Sequence, residues 1–301
     1  MEWIFFALIG PLFWTISNFL DKYSIEKLTK GIADYAFFGT LGPLLILMGT
    51  PLLFEIHTST WEVMLITGFA GFILNYSYLT YGITLAQTDT SRVVPIFQLR
   101  APFVLIAGTL FLGEFLNGHQ LLAFGIIFLG ALLLSLDFAS LQRPRLTTWS
   151  LYALLATVGF ACVLLINNYS VANLDVPSVL VYFDTGFLFA AFTYLFYPPW
   201  RKQIIEGIKT ATWKKVGLFA LNDIADETAQ LCSKLALVTA PATALVAVTQ
   251  GIQSLYALIG GVVLTLWFPH IISEQISRRS LLQKFAGAAV VFIGLAILSL
   301  S

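Results

Sequence analysis

Ser150–Asn168 reads SLYALLATVGFACVLLINN, nineteen residues without an Asp, Glu, Lys or Arg. A helix rises about 1.5 Å per residue, so roughly 20 apolar residues cross a hydrocarbon core about 30 Å thick. A stretch of this length and polarity reads as a transmembrane helix. Working outward, comparable stretches precede it at 3–20, 35–54, 62–85, 90–112 and 119–136. Others follow at 178–197, 214–237, 241–266 and 281–300. The fold class expected is an all-α polytopic membrane protein of ten transmembrane helices.

Composition agrees. The chain is 58% hydrophobic and 11% charged, with a mean hydropathy of +0.86. Soluble domains carry about 45–50% apolar and about 25% charged residues. A formal net charge of zero and the lack of a long basic run argue against nucleic acid as a partner. Cys162 and Cys232 both lie in apolar stretches, and no CxxC metal pattern or disulfide framework is present. Met1-Glu2-Trp3 runs straight into apolar sequence without a basic leader, so the first stretch reads as a retained membrane helix. Spans three and four join through Gln87-Thr88-Asp89-Thr90, and spans eight and nine through Thr239-Ala240-Pro241. Pro241 suits a first helical turn, whereas Pro11, Pro95 and Pro102 are expected to kink their helices.

Ten spans divide into five and five. A shift of 146 positions lays Trp3 on Trp149, Ala7 on Ala153 and Asp21-Lys22 on Asn167-Asn168. A shift of 152 lays Leu85 on Leu237, Gln98 on Gln250, Gly108 on Gly260 and Leu112 on Leu264. A shift of 164 lays Gly130 on Gly294 and Ser135-Leu136 on Ser299-Leu300. The preserved order predicts two five-helix repeats, 1–140 and 141–301. Lys and Arg in short loops mark the cytoplasmic side. Lys22, Lys27, Lys30, Arg92, Arg143, Arg145, Arg201, Lys202, Lys209, Lys214, Lys215, Arg278 and Arg279 all fall on one side of a ten-span topology. Both termini are therefore expected outside a cell (plasma or inner) membrane. An odd number of spans per half makes the two repeats inverted.

Ionisable residues inside spans point to function, since each costs about 2.5–3.5 kcal/mol or more at mid-membrane. In span eight, Asp223, Asp226, Glu227, Gln230 and Lys234 are spaced i, i+3, i+4, i+7 and i+11, which lays them on one helical face. Arg100, halfway along span four, offers an opposite charge. Two readings stay open: a static ion pair with Asp226 and Glu227, or a substrate or proton site at the midplane. Asn75 falls opposite Glu227 under the 152 shift. Trp14, Tyr78, Gln98, Asp184 and Gln250 also sit inside spans. With Asn18, Tyr81, Gln253 and Tyr256 they complete the candidates for an aromatic-lined, small-molecule cavity. Gly287 and Gly294 in span ten, like Ala123 and Gly130 in span five, lie two turns apart and permit close helix approach, within the chain or in a homodimer.

The sequence resembles the EamA-type branch of the drug/metabolite transporter superfamily. The resemblance runs from Ala86 through Pro95 and Pro102 to Leu112-Gly113-Glu114, then to the helix holding Gly130. A second copy runs from Ala240-Pro241 to Leu264, then Glu274, Gly287 and Gly294, interrupted by the insertion Trp267–Ser273. It implies a secondary transporter, not an enzyme, that moves a metabolite such as an amino acid, nucleobase or sugar by alternating access. Asp226 and Glu227 themselves offer a place for an ammonium group or a coupling proton, and proton coupling and exchange both stay open. The resemblance implies no cofactor or metal and names no one substrate. Two alternatives stand beside it. Asn222-Asp223-xx-Asp226 looks like the first aspartate-rich motif of membrane prenyltransferases, which bind Mg²⁺ and a diphosphate. A non-transporting scaffold is the other.

Overall fold

A computed structural model describes residues 2–87, 96–135, 148–267 and 278–299. The chain there is helical apart from short connections: α1 (Glu2–Lys27), α2 (Ile32–Phe38), α3 (Leu41–Leu53), α4 (Trp61–Gln87), α5 (Arg100–Ala107) and α6 (Gly118–Ser135) form the first half. The second holds α7 (Thr148–Asn173), α8 (Val176–Thr193), α9 (Pro198–Lys209), α10 (Trp213–Thr239), α11 (Thr243–Thr249), α12 (Gln253–Trp267) and α13 (Arg278–Ser299). Among the described residues, seven helical segments are long and apolar enough to cross a membrane. Ile96–Leu112 and Gly118–Leu134 are shorter and apolar. α10 is as long as α4, but six ionisable residues punctuate it.

Breaks within the apolar stretches have local causes. The second stretch divides at Gly39-Thr40 into α2 and α3, because Pro43 has no N–H to give Gly39 and its ring would clash there. The Gly42 N–H is instead bonded by Asp223 Oδ2 at 2.8 Å. In the fourth, the helical segment Ile96–Leu112 is interrupted by a turn at Leu99, three residues before Pro102, which has no N–H for the Gln98 carbonyl; the break expected at this proline is present. The ninth stretch is interrupted by a 3₁₀ turn, Gln250–Ile252. Pro241 stands outside the helix it was expected to begin. α11 starts at Thr243, whose N–H and hydroxyl bind the Glu114 carboxylate at 2.8 and 2.7 Å. α1 runs through Pro11 without a break. Pro95, Arg92, the Thr88–Thr90 turn, the 140/141 boundary and Glu274 lie outside the described residues.

α1 packs along α10, α4 along both α7 and α8, and α6 along α13. The small residues singled out in the sequence are used inside the chain. A methyl on Gly130 would meet the backbone of Val291 and Gly287 at 2.8 and 2.9 Å, and one on Gly294 would meet Ile127 N at 3.0 Å. The helix α9 was not expected. Pro198 and Pro199 supply its first turn, Ile204 and Gly207 are buried, and Arg201, Lys202 and Lys209 are exposed. One apolar cluster, including Trp3, Ala7, Val104, Leu237, Leu245 and Val246, fills the end of the bundle where α1 and α11 begin.

Candidate functional site

A cavity of about 220 Å³ opens between α1, α4, α5, α7, α10 and the α11–α12 break. Helical periodicity assembles its wall, because residues spaced by three, four and seven share a face. α1 contributes Trp14, Asn18 and Asp21; α4 contributes Leu74, Tyr78, Tyr81 and Leu85; α7 contributes Phe160, Val163, Leu164 and Asn167. α10 supplies Asp226, Gln230 and Ser233 on one stripe. Gln98 and Arg100 flank the turn before α5, and Gln250 opens the turn between α11 and α12. Both broken segments thus turn at the cavity, where a glutamine stands in each.

The wall is hydrogen-bonded into two groups. Tyr78 donates to Asp226 Oδ1 and Oδ2 at 2.8 and 2.9 Å, and Gln230 Nε2 donates to the Tyr78 hydroxyl at 3.3 Å. On the other side an Arg100 Nη donates to Gln250 Oε1 at 2.9 Å. Gln250 Nε2 in turn donates to Ser233 Oγ at 2.9 Å, and Gln98 Nε2 to Ser254 Oγ at 2.8 Å. The Arg100 guanidinium lies 5.8 Å from the centroid of Trp14. Neither Asp226 nor Glu227 forms an ion pair with Arg100. The cavity therefore holds a cation and a carboxylate that face it separately, between aromatic walls from Phe97, Phe160 and Tyr81. Asn167 Oδ1 is buried with no protein hydrogen-bond partner.

Of the residues expected in a site, Trp14, Asn18, Tyr78, Tyr81, Gln98, Arg100, Asp226, Gln230, Gln250 and Gln253 line this cavity, and Asn75, Asp184, Asp223, Glu227 and Tyr256 do not. Asn75 ties α4 to α8: its Nδ2 donates to Phe187 O at 3.2 Å, and the Tyr194 hydroxyl donates to its Oδ1. Asp223 holds the start of α3 through Gly42. Its carboxylate and that of Asp226 have different partners, so the pair does not present the shared oxygen set of an aspartate-rich metal motif. Asp184 and Glu227 lie at the α8–α10 contact. Asp21 and Asn167 were not singled out. Their signal was available, since the 146 shift lays one on the other. The span ending at residue 20 put Asp21 into a loop, whereas α1 continues to Lys27.

Residues 1–136 match the EamA-like transporter family. A relative described as an uncharacterized transporter in cobO 3'region, from a Sinorhizobium sp, is 28% identical over 142 residues, 44% of this chain and 96% of that protein. Among solved structures, a crystal structure of a protein covers 99% of this chain and 97% of its own, with a TM-score of 0.71 at 11% identity. That likeness shows the fold alone. The EamA-type resemblance read from the sequence holds over the first half of the chain.

Proposed function

We propose that this EamA-type, multi-pass membrane transporter carries a small zwitterion, an α-amino acid or close relative, through its central cavity by alternating access. The observation that carries the reading is the separated pair in that cavity. Arg100, whose fork of donors matches a carboxylate, stands apart from Asp226 and Asn167 Oδ1, which suit an ammonium group. At about 220 Å³ the cavity falls below the roughly 300–1,000 Å³ of pockets for drug-sized ligands, which favours a metabolite. Trp14, Tyr81, Phe97 and Phe160 suit an apolar side chain.

The reading includes ten transmembrane helices in two inverted five-helix repeats, 1–140 and 141–301, with both termini outside the cell membrane. Packing supports it. Exchanging the halves converts the α1–α10 contact into α7–α4 and leaves α6–α13 as its own image. The breaks at Leu99 and Gln250–Ile252 then correspond, as do Gln98 and Gln250. Discontinuous helices at a repeat interface suit midplane binding sites.

A thermal-shift screen of purified protein against amino acids, nucleobases, sugars and amines tests the substrate class. A ligand at 100 times its Kd adds about 2.7 kcal/mol of apparent stability. Amino acids are expected to stabilise the wild type and to lose that effect in Arg100→Ala and Asp226→Asn. Stabilisation by a ligand lacking a carboxylate, undiminished in both variants, would overturn the zwitterion reading.

A further inference from the structure

Asp184, Lys234 and one carboxylate oxygen of Glu227 stand outside the cavity without hydrogen-bond partners in the protein. Asp184 on α8 and Lys234 on α10 are each 0% exposed. Both Asp184 carboxylate oxygens, Lys234 Nζ and Glu227 Oε2 are buried and unpartnered. Glu227 and Lys234 are seven residues apart on one face of α10, and Asp184 on α8 is a charge partner of both. Lys234 Nζ lies 4.0 Å from the ring centroid of Phe183, the neighbour of Asp184. The ammonium therefore rests on an aromatic face and hydrogen-bonds to neither acid.

Charge balance gives this group its chemistry. An ionised carboxylate buried without a partner is unfavourable by several kcal/mol, and one lysine offsets only one of two acids. One proton makes the trio neutral. Of the helices packed on α8 and α10, α3, α7 and α11 contain no Asp, Glu, Lys or Arg, α4 contains only Glu62 in its first turn, and α1 carries its lysines, Lys22 and Lys27, in its last two turns. The other titratable groups facing it are Asp223, bonded to Gly42 N, Asp226 with Tyr78, and, beyond Asp226, Asp21. Arg100 is turned to Gln250.

We propose that Asp184, Glu227 and Lys234 form a proton-binding site, separate from the substrate cavity, that holds one proton on a carboxylate while the lysine stays charged. The proton enters from water on one side of the membrane and leaves to water on the other. Its use in transport rests on the zwitterion reading above; its chemistry does not. Asp226 adjoins Glu227 and faces the cavity, so an ammonium in the cavity and a proton on Glu227 draw on one negative field. The two exclude each other, and the cycle runs as an exchange.

Infrared spectroscopy of the purified protein needs no substrate. At neutral pH the wild type is expected to show the carbonyl stretch of a buried protonated carboxyl, shifted in D₂O. The band should vanish in Asp184→Asn or Glu227→Gln and persist in Asp226→Asn. Lys234→Met, which leaves two uncompensated acids, should roughly double it. A wild type without the band, or one whose band ignores both the Asp184 and Glu227 substitutions, would overturn the site. A second arm adds an amino acid that stabilises the protein in the thermal-shift screen to a weakly buffered solution. Proton release, lost in Glu227→Gln, is expected; release of none overturns the exchange. If no amino acid in the screen stabilises the protein, the zwitterion reading fails and takes the exchange with it, while the infrared result still decides the site.

Discussion

Lys215 is buried at the first turn of α10, where both oxygens of the Asp34 carboxylate accept from its Nζ at 2.8 Å. Asp34 also accepts from Lys30 N at 2.7 Å, and the ammonium lies 3.8 Å from the Phe38 ring centroid. The pair joins the start of α2 to the start of α10. Removing one member of such a pair strands a charge, at a cost of about 3–5 kcal/mol, while removing both is far milder. Lys215→Met is therefore expected to lower the denaturant midpoint severely, and Asp34→Leu with Lys215→Met to recover most of that loss. Equal damage from the single and double variants would refute the account. Asp175 is a milder case. It caps α8, accepting from Ser178 N at 3.3 Å and Ser178 Oγ at 2.7 Å, with His57 Nδ1 at 3.1 Å. Slight burial pushes its carboxyl up, but the bonds from Ser178 and His57 outweigh burial and hold it below the usual range. A carboxyl depressed in the folded state contributes stability above its unfolded value of about 3.9, and loses it as pH falls through the folded value. Asp175→Ala should cost about 0.5–2 kcal/mol at neutral pH. That gap should close as pH drops below about 4. A gap of constant size down to acid pH would show that the carboxylate charge plays no part.

At the scale of elements, α4 and α8 approach so closely that side chains are excluded. A methyl on Gly186 would collide with Gly68 O, and one on Gly71 with Phe183 O, both backbone atoms that cannot move aside. Overpacking a fitted contact costs about 1–3 kcal/mol. Gly186→Ala should reach or exceed the top of that range and reduce the yield of folded protein. Gly125 on α6 has open space around its Cβ position. Gly125→Ala should be neutral or stabilising by about 0.5–1 kcal/mol, since alanine is the better helix former. If the two variants melt alike, close backbone contact does not hold α4 against α8. Stretches such as Ser150–Asn168 were legible because twenty apolar residues have few other uses. α9 was not, because a short amphipathic helix led by Pro198-Pro199 resembles a charged loop when the scale of search is a full span. The breaks at Gly39 and at Gln250–Ile252 were also hidden, since apolar composition continues across them. In the site, α10 gave a true stripe, yet spacing alone could not divide it. Asp226 and Gln230 face the cavity, whereas Asp223 and Glu227 face α3 and α8, a distinction that depends on which helices pack alongside.

For the whole molecule, the two ends of the bundle differ in packing. The cavity wall extends through Lys22, Leu85 and Ala257, near the ends of α1 and α4, whereas Ala7, Leu237, Leu245 and Val246 close the opposite end. Under the topology proposed above, the first end is cytoplasmic and this conformation faces inward. A protein fixed in it would bind but not transport. Alternating access requires a second packing in which the apolar plug parts and the Ala257 end closes. A substrate moves that equilibrium only through a difference in affinity between the two states, and reversing 1:99 to 99:1 takes about 5.5 kcal/mol. With Cys162 and Cys232 replaced by alanine, single cysteines at Ala257 and Leu245 report the two ends to a water-soluble maleimide. Without substrate, Ala257→Cys should label quickly and Leu245→Cys, at a site 0% exposed, slowly. A transported amino acid that binds the second packing more tightly should slow the first and quicken the second, because it shifts the population toward that packing. A ligand that slows Ala257→Cys and leaves Leu245→Cys buried would be an inhibitor holding the inward state. If every amino acid that binds behaves so, the cavity is a receptor site and the chain does not transport amino acids.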